Sequence, residues 1–420
     1  MLSLTLPQTS EKSESQARFD AAIADLVTPE MRAQISLFAQ QFFNVIAIEE
    51  LNQRRLADLI GCTLFSWNML QDFHVVAPKV VVFNPDYEKN GWQSTHSVAL
   101  ILHADCPFLV DSVRTEITRR GYSIHVLQNS VLSTRRDEHS RLQELVADAE
   151  QVEAVGRESL MFIELDRCAT AAELTALQDA LEDVLAEVRL VVQDHQAMRE
   201  RVIDLRNQLR KSKSLSSEQT LEETEFLDWM LEDRFTFLGY EEFKLAENHE
   251  GARVVYDQSS LLGLSKRLRL GLDEAVVEPF VAAYLREPLL LSFAKEDSLS
   301  RVHRPAYPDL VSIRIATPKG KVLKECRFVG IFASRTYNES VRDIPLIRNK
   351  VTQIAKGSGF IPRSHLSKEL IKVLEVLPRD DLFQTPIDDL LATAVAISPC
   401  PLTTQDGQLI KPTLNVVVFR

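Results

Sequence analysis

The sequence predicts an α+β protein. A ferredoxin-like sandwich comes first, then one long helix, then a mostly antiparallel α+β module, and helices close the chain. Three observations carry this. The stretch SVALILHADCPFLVDSVRTEITRRGYSIHVL, Ser97 to Leu127, reads as strand, tight corner, helix and strand. Apolar residues from Leu174 to Leu209 recur at alternating spacings of three and four. From Phe235 to Phe332, short apolar runs of strand length follow one another with few helical patterns between them.

Residues 1–16 are polar and expected to be disordered. Helical patterns cover 17–41 and 47–69, the second with Leu51, Leu56, Leu59 and Ile60 on its apolar face. The run 75–83 is a strand interrupted by Pro78, which suits an edge or a bend. In the central stretch, Val98, Leu100 and Leu102 alternate with Ala99, Ile101 and His103. The corner Ala104-Asp105-Cys106-Pro107 follows, with Asp105 expected to cap the next helix and Pro107 to sit in its first turn. Leu109, Val110, Val113 and Ile117 form that helix's stripe, and Gly121 after Arg119 and Arg120 stops it. A third strand at 131–134, or an extension of the second, comes next. The charged segment 135–158 reads as a loop with some helix, and 160–165 as a strand. Thr170 and Glu173 make a capping box. The order βαββα is that of a ferredoxin-like sandwich.

The seam of Leu177, Leu181, Val184, Val188, Val191, Met198, Val202 and Leu205 predicts one helix from Thr170 to Lys211, packed on a helix of this chain or of another subunit. His195 lies on that seam and reads as a tolerated polar residue. After a linker at 211–219 comes a helix to Glu232. Strands are predicted at 235–243, 253–256, 289–294, 310–315 and 322–332, and a loop or short helix at 261–271. This mostly antiparallel section suggests a sensor-type domain. Helices are predicted at 344–356, 364–377 and 387–397.

Composition excludes several functions. The net charge of -12 argues against nucleic acid or an anionic membrane as partner. Cysteines 62, 106, 168, 326 and 400 form no CxxC pair, which fits a reducing cytoplasm and no zinc framework. The N-terminus lacks a signal-peptide pattern, and no apolar run approaches the roughly 20 residues that span a bilayer. The only G-x-G, Gly357-Ser358-Gly359, has Pro362 where a dinucleotide fingerprint has its third glycine, and it follows a helix. No P-loop, H-E-x-x-H or GxSxG occurs.

The candidate site is the corner, with Asp105, Cys106, Phe108 and Leu109 as tentative effector-binding residues. Asp105 and the backbone N–H groups near Phe108 and Leu109 would meet the charged ends of an amino acid. Cys106 has two readings: a thiol of lowered pKa at a helix N-terminus, or a small buried residue, which is preferred. Arg301, His303 and Arg304 with Lys295 form a basic patch, read as ion-pairing rather than anion-binding. No catalytic or metal-binding constellation is expected.

Several segments together resemble one family, the large bacterial NAD-dependent glutamate dehydrogenases. They are HADCPFLVDSVRTEITRRGYSIHVL, EFLDWMLEDRFTFLGYEEF, LLSFAKEDSLSRVHRPAYPDLVSIRI, ECRFVGIFASRTYNESVRDIPLIRNKV and GSGFIPRSHLSKELIKVLEVLPRDDLFQTPIDDL. The resemblance implies the N-terminal, non-catalytic region of such an enzyme. It implies a helical segment with an edge strand over 1–91, an ACT-like module over 92–190, a helix extension and linker over 191–220, a PAS-like module over 221–345, a helical section over 346–397 and a divergent tail over 398–420. It further implies a cytoplasmic parent that oxidises L-glutamate to 2-oxoglutarate and ammonia with NAD. The partners it implies are the catalytic half, other subunits of a homo-oligomer (a tetramer by resemblance) and a possible amino-acid effector. The chain itself is expected to hold no cofactor and to be inactive alone. The family's ligand corners place Gly after Pro, where this chain has Phe108, so a bulky ring is expected to crowd the corner. The competing readings are a stand-alone amino-acid sensor and an assembly scaffold.

Overall fold

The computed structural model describes residues 17–43, 53–74, 77–147, 155–211, 217–248, 251–287, 290–317, 319–358 and 365–397. The expected tail and the N-terminal 16 residues lie outside these. The chain divides into two compact units, Met1–Arg189 with Arg301–Pro305, and Leu190–Ser300 with Ala306–Arg420.

In the first unit, helices α1 (Pro29–Phe42) and α2 (Leu56–Gln71) precede strand β1 (Lys79–Phe83). Then come β2 (Ser97–Ala104), α3 (Leu109–Arg119), β3 (Ile124–Arg136), β4 (Leu142–Leu145) and β5 (Gly156–Leu165). The sheet order is β1-β2-β5-β3-β4, with every neighbouring pair antiparallel. Pro78 lacks the N–H that a ladder needs, and β1 begins just after it, at the sheet edge.

Strand β2 is buried on both faces. On one face Val98, Leu100 and Leu102 join Leu160 and Phe162 of β5 in a core with Phe38 and Phe42 of α1 and Trp67 and Leu70 of α2. The Phe42 and Phe162 rings meet edge to face at 5.9 Å. Alternation sends Ala99, Ile101, Met161 and Ile163 to the opposite face, where they are equally buried. That is the face on which a βαββα sandwich carries its two helices.

The charged segment 135–158 departs from the expected loop with helix. Strand β3 runs on to Arg136, turns through Asp137 and Ser140, and pairs with β4, with Thr134 opposite Leu145. The pattern hid this hairpin because its outer positions are charged: Arg135 faces Glu144 across the ladder.

The long helix α4 (Ala171–Lys211) has the expected span and opens with the expected capping box. The Thr170 hydroxyl accepts from the Glu173 N–H at 3.2 Å, and the Glu173 carboxylate accepts from the Ala169 N–H at 2.8 Å. Its apolar seam is buried within this chain. Leu177, Leu181, Val184 and Val188 are buried in the first unit, and Met198, Val202, Leu205 and Leu209 join the core of the second. His195 is exposed on the helix surface, its ring 6.4 Å from that of Phe237.

The second unit continues with α5 (Ser217–Trp229), which ends in a π turn, Met230–Arg234, three residues earlier than expected. Asp233 adopts a φ of +58° in that turn, which breaks the helix and releases the chain into the sheet. Strands β6 (Phe235–Asn248), β7 (Gly251–Tyr256), β8 (Leu262–Gly263) and β9 (Glu274–Val276) follow. Helix α6 (Pro279–Arg286) and strands β10 (Leu291–Lys295), β11 (Asp309–Ala316) and β12 (Val322–Phe332) complete the sheet region. The order is β10-β11-β12-β6-β7-β9, antiparallel throughout, with β8 beside β6. Register slips at Val329–Gly330, where β12 bulges against β6.

The closing helices are α7 (Ile347–Gly357), α8 (His365–Val376), α9 (Arg379–Gln384) and α10 (Ile387–Ile397). Their apolar faces meet Phe226, Trp229, Phe328 and Phe332 in the larger core. Each large side chain fully buried there contributes about 1.5–3 kcal/mol. Lys350 of α7 ends α9: its Nζ donates to the carbonyls of Leu382, Phe383 and Thr385 at 2.9, 2.7 and 2.9 Å. Burial pushes its pKa down to about 8.

Glu223 of α5 is a misfit. Its Oε2 is buried without a hydrogen-bond partner among the described residues, and burial pushes its pKa up to about 7. A raised carboxyl pKa supports folding below the unfolded value and loses that support as pH rises through the folded one. Glu223→Gln is therefore expected to raise the melting temperature at pH 8 and to change it little at pH 4, as read by thermal unfolding at both values.

Candidate functional site

The corner between β2 and α3 is built differently from the sequence expectation. The Asp105 N–H extends the sheet ladder to the Arg157 carbonyl at 2.9 Å. Its carboxylate accepts from Arg157 Nε at 3.2 Å instead of capping the helix. Pro107 precedes the helix rather than opening it. Phe108 holds the N-cap position with a φ of +73°, a region that favours glycine, and offers no side-chain cap. With that turn, α3 begins four residues after Asp105, at Leu109.

Leu109 is buried in the unit's interior and presents nothing to a ligand. Cys106 is half-buried, and burial, with a smaller contribution from the Asp105 charge, pushes its thiol up to about 11. That overturns the reading of an activated thiol, since desolvation outweighs any help from the helix end.

The Phe108 ring packs against the His303 ring, with centroids 5.1 Å apart and planes tilted by 49°. His303 is the second non-glycine residue here with a positive φ, +72°. Its backbone N–H donates to Ser112 Oγ of α3 at 3.0 Å, and Val302 beside it is fully buried. Burial, and next the Arg304 charge, lower the His303 pKa against the pull of Asp111, so the imidazole is neutral at pH 7. Two strained residues in mutual contact show that surrounding interactions hold this corner in place.

Those interactions centre on Arg301. Its Nε donates to Glu116 of α3 at 3.2 Å, and its Nη1 donates to Asp183 and Glu187 of α4, both at 3.0 Å. Nη2 reaches the Ala180 carbonyl at 3.4 Å. The Glu116 side chain is fully buried and also receives Arg119 and Arg120, each at 2.9 Å. Burial alone would push its carboxyl up, but the bonds from Arg120 and Arg119 and the Arg301 charge together hold it below the ordinary carboxylate value. Arg301–Pro305 is thus clamped over the corner by a charged network. Lys295, grouped with Arg301 in the sequence, instead pairs with Asp309 at 2.9 Å and Asp380 at 2.6 Å in the second unit. The acids that meet Arg301 escaped the sequence reading. Asp183 and Glu187, one helical turn apart, were the available signal.

The second unit holds another buried network, a row across its sheet. Arg314 bonds Glu325 at 2.9 Å, Glu325 takes Arg327 at 2.8 Å, and Glu241 takes Arg269 at 2.8 Å. Arg314, Glu325 and Glu241 are all buried. Of the Gly357-Ser358-Gly359 segment, which lacks the dinucleotide fingerprint in sequence, Gly359 and Pro362 lie outside the described residues. Gly357 ends α7, and the Ser358 N–H bonds back to the Ile354 carbonyl, so the chain here finishes a helix instead of turning from strand to helix around a phosphate.

Among the described residues no group of acids, histidines and cysteines is placed to hold a metal, and no helix is long and apolar enough to cross a membrane.

The βαββα sheet with this corner defines an ACT-type α+β module. The family model of the glutamate dehydrogenase ACT1 domain matches residues 38–181, and that of glutamate dehydrogenase helical motif 1 matches residues 344–400. The chain is 52% identical over 391 residues to the NAD-specific glutamate dehydrogenase of Pseudomonas aeruginosa, covering 92% of this chain and 24% of that protein. It is 40% identical over 400 residues to the enzyme of the same name from Halomonas elongata, covering 93% of this chain and 24% of that one. With the Mycobacterium tuberculosis protein of that name it shares 26% over 292 residues, covering 69% of this chain and 17% of the relative. The chain belongs to the large bacterial NAD-dependent glutamate dehydrogenase family and corresponds to its N-terminal region. It spans about a quarter of the length of the first two relatives.

Proposed function

We propose that this chain is the structural and regulatory N-terminal part of an NAD-dependent glutamate dehydrogenase in the cytoplasm, and that its ACT-type corner is a closed joint, not an effector site. The parent reaction in this reading converts L-glutamate, NAD and water to 2-oxoglutarate, ammonia and NADH. Hydride transfer needs a bound nicotinamide, and in this reading the nicotinamide site and the catalytic residues belong to another part of the parent. The second antiparallel sheet is assigned to a PAS-like module on resemblance. Contacts with the catalytic half and with other subunits fall to surfaces other than the α4 seam, whose apolar residues are buried within this chain.

The observation that carries the closed-joint reading is the Phe108–His303 contact, fixed by Arg301 on Glu116, Asp183 and Glu187. A ligand at the backbone of this corner would have to displace both rings and break a four-residue charge network. Calorimetry of the chain with L-glutamate, L-aspartate, glycine and L-leucine is expected to give no saturable heat. If one of them binds and Phe108→Trp abolishes the binding, the corner is an effector site and the reading fails.

A further inference from the structure

A second concavity, in the other unit, is open. It is a cleft of 420 Å³ between the last turn of α6 and the paired strands β6 and β12, within the size range of small-molecule sites. Alternation along β6 brings Phe243, Leu245 and Glu247 to it in a row. Leu285 of α6 and Val322 of β12 complete an apolar floor.

The charges on its wall decide what it can hold. Glu247 is engaged by Arg286, whose Nε donates to it at 2.8 Å. Glu325 is engaged by Arg314 at 2.9 Å and Arg327 at 2.8 Å. Lys324 is paired with Glu242. Lys321, exposed at the mouth, has no ion-pair partner among the described residues. An ammonium group would find both carboxylates already satisfied, and a dianion would find one unspent cation. A monoanion with an apolar body matches both the floor and the rim.

We propose that this cleft binds a monocarboxylate on an aliphatic or aromatic body, the carboxylate at Lys321 and the body over the partly exposed Leu245 and Val322, with the buried Phe243 and Leu285 beneath them. The site is independent of the closed corner, and of the reading of that corner as a joint.

The test is calorimetry of the full chain with hexanoate, octanoate and 4-phenylbutyrate, with hexylammonium and hexanol as charge comparators. At least one carboxylate is expected to bind saturably and better than both comparators. Lys321→Gln, a surface change expected to leave the melting temperature unaltered, should weaken that binding about fivefold, as an exposed ion pair does. Leu285→Trp, which fills the floor, should abolish it. Absence of binding by all three carboxylates overturns the proposal. So does equal binding of hexylammonium or hexanol, or undiminished binding in Lys321→Gln.

Discussion

Gly330→Ala is expected to destabilise the second unit by about 3 kcal/mol, near the upper end of overpacking costs. A Cβ built at Gly330 would collide with the Thr236 carbonyl oxygen and with the Phe235 ring. Neither neighbour can yield cheaply. Thr236 is backbone in the adjacent strand at the β6–β12 bulge. Phe235 is held edge to face by Phe237 and Phe332, each at 5.2 Å, inside the main core. The added methyl therefore has to spread the two central strands. At roughly 2–4 °C per kcal/mol, the melting temperature should fall by about 6–12 °C. Gly357→Ala is the matched control. Nothing lies within 4 Å of its Cβ position and it ends a helix, so the change is expected to be neutral or mildly stabilising. Thermal unfolding of both variants decides the matter, and equal melting temperatures would mean that the bulge relaxes freely.

How much of this was legible beforehand follows from what each pattern encodes. Helix α4 could be read almost to the residue, because about ten turns of apolar spacing from Leu174 to Leu209 leave no other period available. The inner strands were legible from β-branched and apolar runs. Helix α6 was not. Pro279 starts it and Ala282 and Leu285 face inward, but Phe280 is 75% exposed, so its amphipathic stripe is blurred. The β3–β4 hairpin was hidden by its charged outer face. At the corner, Phe108 in a position that suits glycine could be foreseen as an obstruction. What it obstructs with could not: His303 and Arg301 lie almost 200 residues further along, and sequence spacing says nothing about such a pairing. The same distance concealed the acids around Arg301. Isolated acids on helix surfaces look alike until a cation arrives between them.

That cation network should respond strongly to substitution. Arg301→Ala is expected to cost about 2–4 kcal/mol, because it strips a partner from the buried Glu116 and from Glu187 at once. The figure stays below the top of the range for broken buried pairs, since Glu116 keeps Arg119 and Arg120 and since Arg301 is 21% exposed. Glu116→Gln tests the same network from its centre while keeping the shape. The Glu116 carboxyl is held below its ordinary value in the folded chain. Its support for folding is therefore present above the unfolded carboxylate pKa and lost as pH falls through the lower folded one. Wild type should exceed Glu116→Gln in denaturant stability at pH 7, and the gap should narrow as the solution is acidified below the carboxylate range. The double variant, Arg301→Ala with Glu116→Gln, is expected to lose less than the sum of the two single losses, because each removes the same contact. Additive losses in that cycle would show that Arg301 is not held by Glu116, and the clamp over the corner would then rest on Asp183 and Glu187 alone.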